Sequence, residues 1–114
     1  MDLADQKCIP CRGGVPPMEV GRAKELLGEL DDGWHLTAAG HLEREYRLKD
    51  FAGAMNLANK VADIAEQERH HPDLYIAWGK CRVEIWTHKI SGLTESDFYF
   101  AAKADRAFAA MVEG

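Results

Sequence analysis

The sequence predicts an α+β domain in the order α-β-β-α-β-β-α, with a four-stranded antiparallel sheet and three helices packed on one face. Three observations predict it. Two stretches alternate polar and apolar residues with the period of a strand. Three others repeat apolar residues at helical spacing. At 114 residues the chain has room for one core. Residues 1–15 are expected to form a flexible arm ahead of a single domain over 16–114.

The elements follow in order. Pro16 and Pro17 suit a helix start, and Met18, Ala23, Leu26, Leu27 and Leu30 then recur at helical spacing until Asp32-Gly33. A short strand from Trp34 to Thr37 follows. Leu42, Arg44, Tyr46 and Leu48 alternate with His41, Glu43, Glu45 and Arg47, a strand with one wet face. Arg44 is the one charged residue on the otherwise apolar side. A loop at Ala38-Ala39-Gly40, with Gly40 free to take positive φ, sets Leu36 opposite Leu42. Asp50 caps the second helix, whose stripe is Phe51, Ala54, Met55, Ala58, Val61, Ala62 and Ala65. Pro72 forces its end. A second hairpin runs from Leu74 to His88. Thr94-Glu95-Ser96-Asp97 opens the last helix like a capping box, and Phe98, Ala101, Phe108 and Met111 form its apolar side.

Gly79-Lys80 is the expected tight turn of the second hairpin, with Gly at the first central position. Trp78 then lies opposite Cys81 as part of the core, Ile76 opposite Val83, and Leu74 opposite Ile85. Ala77 with Arg82, Tyr75 with Glu84, and Asp73 with Trp86 make the other face. One pair further, His71 meets His88, and opposed residues have Cβ atoms about 5 Å apart. His70 comes off the end of the second helix at the same corner. Imidazoles, with an ordinary pKa of about 6.5, exchange protons near neutral pH. The residues alone leave two readings open: an acid–base site, or histidines solvated at a strand end. Zinc held by His70, His71 and His88 is disfavoured, because adjacent histidines fit one ion poorly and no further ligand completes the set. No metal is expected. His35 and His41 read as surface residues.

Composition excludes several classes. The hydrophobic fraction of 46% and charged fraction of 29% are those of a globular protein. A formal net charge of -5 without a Lys/Arg cluster argues against a nucleic-acid partner. No apolar run approaches the roughly 20 residues of a membrane span. The start, Met1 to Lys7, lacks a secretory pattern, so a cytoplasmic location is expected. Cys8-Ile9-Pro10-Cys11 has the spacing of half a zinc site or a redox pair, but a second ligand pair is missing. It reads as incidental to a loose N-terminus.

Glu66, three residues, His70-His71-Pro72, five residues, Trp78, nine residues, His88, eight residues and Asp97 resemble the signature of the pterin-4a-carbinolamine dehydratases. The Cys8 to Gly14 arm and Ser91-Gly92-Leu93-Thr94 are similar to some bacterial-type members. The resemblance implies removal of water from 4a-hydroxytetrahydrobiopterin, giving quinonoid dihydropterin in tetrahydrobiopterin recycling, without metal or cofactor. It implies catalytic roles for His70, His71 and His88, and substrate contacts from Glu66, Arg69, Pro72, Trp86, Thr87, Lys89 and Asp97. It also implies a homodimer or homotetramer, linked in function to an aromatic amino acid hydroxylase. Arg69 stands where some members have an acid and Trp86 where some have a small residue. Trp86 is a candidate to stack on the pterin. Asp97 serves equally as a cap of the last helix with Thr94, and Glu66 reads either as a solvated helix residue or as a support for His70 one turn on. Tyr75 fits either the site or an interface. The alternative functions are a non-catalytic dimerisation or regulatory module, and a pterin-related role in molybdenum-cofactor metabolism.

Overall fold

The computed structural model describes residues 2–9, 13 and 15–113. Its elements run α1 (Val20–Leu27), β1 (His35–Leu36), β2 (Leu42–Arg47), α2 (Phe51–Glu68), β3 (Asp73–Ala77), β4 (Lys80–Ile85) and α3 (Glu95–Glu113). The strands form one antiparallel sheet in the order β1-β2-β4-β3. The expected α+β architecture is therefore present. β4 joins the first hairpin to the second, a pairing of residues some 40 positions apart (Leu42 with Ile85, Tyr46 with Cys81).

Alternation decides what each sheet face does. Leu42, Tyr46, Cys81, Val83 and Ile85 are buried on the helix side, while Glu43, Glu45, Arg82 and Glu84 point the other way. Arg44 is on the buried side and has a reason to be there. Its guanidinium lies 2.7 Å from Asp105 of α3, which also accepts from Trp34 Nε1 and the Tyr46 hydroxyl. A charged residue below a sheet needs such a partner.

The helices differ from expectation in detail. α1 is shorter than its apolar repeat, which continues past Leu27 as turns that bury Leu30. Asp50 caps α2 as expected, accepting from Gly53 N–H at 2.8 Å. The buried stripe of α2 is Ala54, Leu57, Ala58, Val61 and Ala65, whereas Phe51, Met55 and Ala62 are exposed. Leu57 belongs to the stripe by its i, i+3, i+4 spacing. Each fully buried Leu or Val here contributes about 1.5–3 kcal/mol. On α3, Phe100 joins Phe98 and Ala101 in the core.

The second hairpin requires a correction. Its turn is Trp78-Gly79, with Ala77 paired to Lys80, Ile76 to Cys81, Tyr75 to Arg82, Leu74 to Val83 and Asp73 to Glu84. The positive φ of 69° falls on Gly79 as the second central residue, not the first. Relative to the expected register the strands slip by two residues, so every side chain keeps its face but changes its partner. Trp78 consequently sits on the turn, 72% exposed, and not in the core. Gly40 takes the expected positive φ, and Leu36 does pair with Leu42.

Residues 3–9, expected within a loose arm, lie against α3 and the last turn of α2. Lys103 donates to the Ala4 carbonyl, Cys8 N–H donates to Glu68, and Cys8 is buried. Burial, then the nearby Glu68 carboxylate, pushes the Cys8 thiol up to about 12. Cys11 lies outside the described residues. Among the described residues no helix is long and apolar enough to cross a membrane.

Candidate active site

α2 delivers its last residues to a corner of the sheet through one backbone reversal. Arg69 takes a left-handed conformation (φ 53°, ψ 42°), and His70 N–H reaches back to the Ala65 carbonyl. That six-residue return is a Schellman ending, usually given to glycine. It separates the two neighbouring histidines, and each finds a different carboxylate.

His70 turns toward α3. Its Nε2 lies 2.5 Å from Asp97 Oδ1, and its ring meets Phe100 edge-on. Asp97 is fully buried, and its Oδ2 accepts from Thr94 N–H at 2.8 Å and from the Thr87 hydroxyl at 2.9 Å. Asp97 therefore caps α3, as the capping reading expects, and holds His70 at the same time. His71 turns outward, with Nε2 2.6 Å from Glu66. This corrects the expected pairing of Glu66 with His70. A carboxylate only accepts, so both facing Nε2 atoms carry the hydrogen and leave Nδ1 for other partners.

The expected pairing of His71 with His88 across the hairpin is absent. β4 ends at Ile85, and His88 opens a short 3-10 turn, His88–Ile90. The three histidines nevertheless meet. Arg69, His70, His71, Trp86, Thr87, His88 and Lys89 line one open pocket of about 220 Å³. The two-residue slip and the loss of strand cancel in effect, because the pocket forms at the sheet end and not between paired rungs. Glu66 and Asp97 reach it through the histidines they hold, and the Thr87 hydroxyl is already spent on Asp97. Pro72 lines a neighbouring depression with Asp73, Leu74, Tyr75, Arg82 and Glu84. Among the described residues no group of three or more His, Cys, Asp or Glu could hold a metal ion.

The sequence model of the pterin 4 alpha carbinolamine dehydratases matches residues 16–107. The chain belongs to that family. A Rickettsia bellii relative that carries the family's name is 58% identical over 103 residues, spanning 90% of this chain and 91% of its own. One from Rubrobacter xylanophilus is 46% identical over 105 residues, 92% of this chain and 97% of its own. Among solved structures, a transcriptional coactivator/pterin dehydratase from Brucella melitensis superimposes with a TM-score of 0.75 at 29% identity, covering 80% of this chain and 97% of that one.

Two features of this pterin 4 alpha carbinolamine dehydratase family member escaped the sequence. Trp86 does not offer a free ring face for stacking. One face lies 3.9 Å from His41 with the rings 3° from parallel, and the other lies 4.3 Å from His88. His41 is not a surface residue either, since its Nδ1 is 2.6 Å from Glu84 and its side chain is 15% exposed. The missing signal was the β2–β4 register. Continued one step beyond Leu42 and Ile85, it puts His41 across from Trp86.

Proposed function

We propose that this protein dehydrates 4a-hydroxytetrahydrobiopterin to quinonoid dihydropterin by histidine acid–base catalysis. The observation that carries the reading is the convergence of His70, His71 and His88 on one pocket, two of them braced by carboxylates. One imidazolium donates its proton to the C4a oxygen, and the C4a–O bond breaks to release water. A second, neutral imidazole takes the N5 proton, and the N5 electron pair forms the C4a=N5 bond. Proton return between the two rings through solvent resets the site. Each well-placed proton transfer contributes roughly 10²–10⁴-fold.

His71 and His88 are the acid–base pair in this reading, in either order, and His70 orients the pterin. Arg69 and Lys89 supply polar contacts at the rim, with Thr87 and Trp86 forming its wall. Glu66 and Asp97 act through His71 and His70. The reaction needs no metal or cofactor. The catalytic unit is the domain over 16–114, located in the cytoplasm and serving tetrahydrobiopterin recycling beside an aromatic amino acid hydroxylase. A homodimer or homotetramer belongs to the same reading. Its support is the edge strand β3, where Leu74, Tyr75 and the adjoining Trp78 are exposed.

The test is loss of the 4a-hydroxyl from freshly generated carbinolamine, followed by absorbance. Wild type accelerates it, and His88→Ala removes most of the effect. A folded wild type without turnover refutes the proposal. The coactivator name of the Brucella melitensis structure supports a second reading, a regulatory binding module. Partner binding that survives His71→Ala and His88→Ala in a protein without turnover would favour it.

A further inference from the structure

His70 and His71 are each held by a carboxylate, but no carboxylate holds His88 among the described residues. Its ring rests on the indole of Trp86 at 4.3 Å. What fixes the indole therefore fixes His88. The opposite face of Trp86 is covered by His41, nearly parallel at 3.9 Å. His41 itself is held from every side. Thr37 N–H donates to its carbonyl at 2.8 Å, its own N–H donates to the Thr37 hydroxyl at 3.1 Å, and Gly40 closes the loop onto Thr37. Its imidazole is 2.6 Å from Glu84, which lies two residues before Trp86 on the same sheet face. A histidine that served only solubility would not need its ring bonded to a carboxylate and stacked parallel on an indole.

We propose that His41, locked by Glu84, is a positioning residue for the dehydration, acting through Trp86 to set the plane of the His88 ring. The proposal rests on the dehydratase reading for its effect on rate, but the packing column His41–Trp86–His88 exists without it. Trp86 lines the pocket beside His88. Both its faces are engaged, so the pterin finds a wall and not a stacking platform there. Aromatic stacks carry enough free energy to select one ring orientation over its rotamers, and misplacement of a reacting group by about 1 Å can cost roughly 10²-fold in rate.

The experiment compares His41→Ala, His41→Phe and Glu84→Gln with wild type, in turnover and in the NMR spectrum of the histidine rings. His41→Ala is expected to lower kcat about tenfold with KM changed less than about twofold, since His41 does not touch the pocket. His41→Phe keeps a flat ring on the indole and restores kcat to within about threefold. In a Trp86→Ala background, His41→Ala has no further effect. The His88 ring protons, shifted by the indole ring current in wild type, move toward solvent values in His41→Ala. Wild type active, His88→Ala inactive and His41→Ala unchanged in kcat and in the His88 shifts would overturn this proposal alone. A wild type without turnover sinks the dehydratase reading, and the ring shifts then still decide whether His41 positions His88.

Discussion

Replacing Asp97 by asparagine separates what this residue does for the fold from what it does for the site. The buried carboxylate serves three groups: Thr94 N–H and the Thr87 hydroxyl at Oδ2, and His70 Nε2 at Oδ1. Asparagine has the same shape, and its carbonyl oxygen can accept both bonds now made by Oδ2. Its amide NH2 then faces His70 Nε2, hydrogen against hydrogen. The imidazole must shift its hydrogen to Nδ1, and the nitrogen left for other partners changes from acceptor to donor. Three hydrogen bonds to a charged acceptor become neutral ones, at about 1.5–3 against 0.5–1.5 kcal/mol each, so stability falls by roughly 3–4.5 kcal/mol. Against a typical total of about 5–15 kcal/mol the fold survives. Turnover, which needs the ring in its native tautomer, falls about 10²-fold. Asp97→Ala is worse for the fold, since three donors lose their acceptor at about 1–3 kcal/mol each. Urea unfolding followed by circular dichroism reads the first quantity, and carbinolamine turnover reads the second. Long-range proton–nitrogen spectra report the His70 tautomer. An Asp97→Asn protein with turnover within twofold of wild type and an unchanged tautomer would refute the reasoning.

Three further outcomes follow from the geometry. Trp78→Ala costs less than about 0.5 kcal/mol in urea unfolding, as befits a turn residue 72% exposed, whereas a core tryptophan would cost about 3–5 kcal/mol. Native protein at pH 8 resists iodoacetamide at Cys8 and at Cys81, whose thiols burial pushes up to about 12 and about 11, and both label once urea unfolds the chain; peptide mass mapping checks this. Burial lifts the Asp105 carboxyl above the ordinary aspartate range despite its donors Tyr46, Trp34 and Arg44. A raised carboxyl pKa favours folding most below the unfolded value, and that contribution is lost as pH rises through the folded value. Carbon NMR of the Asp105 side chain should titrate above about 3.9. A midpoint at or below that value contradicts the sign.

Much of the domain was legible because local signals and tertiary demands agreed. Asp50 announced its helix because a side-chain acceptor three residues ahead of an orphan N–H works the same way in any context. Both sheet faces were readable because a strand alternates with period two, and a slip of two residues leaves that alternation unchanged. The turn itself was misjudged for the same reason, since placing the reversal at Gly79-Lys80 or Trp78-Gly79 produces identical faces. The histidine signature marked residues that line one candidate pocket, yet the register offered for them was wrong. The residues met because Arg69 adopts a left-handed bend and β4 stops early, neither of which a residue pattern announces.

Sequence alone determined the element order, the apolar faces, the family and the three histidines. Each depends on residue type at short spacing, where the chain's covalent geometry decides what shares a face. Tertiary structure decided which carboxylate holds which histidine, that Arg44 finds Asp105, and that His41 closes over Trp86. Glu66 and His71 are only five residues apart, and the α2 ending brings them together. The other contacts join separate elements: His70 to Asp97 of α3, Arg44 of β2 to Asp105 of α3, and His41 to Trp86 beside β4. Their partners lie tens of residues apart, so the energy that selects them is available only once the helices have packed and the sheet has joined its two hairpins.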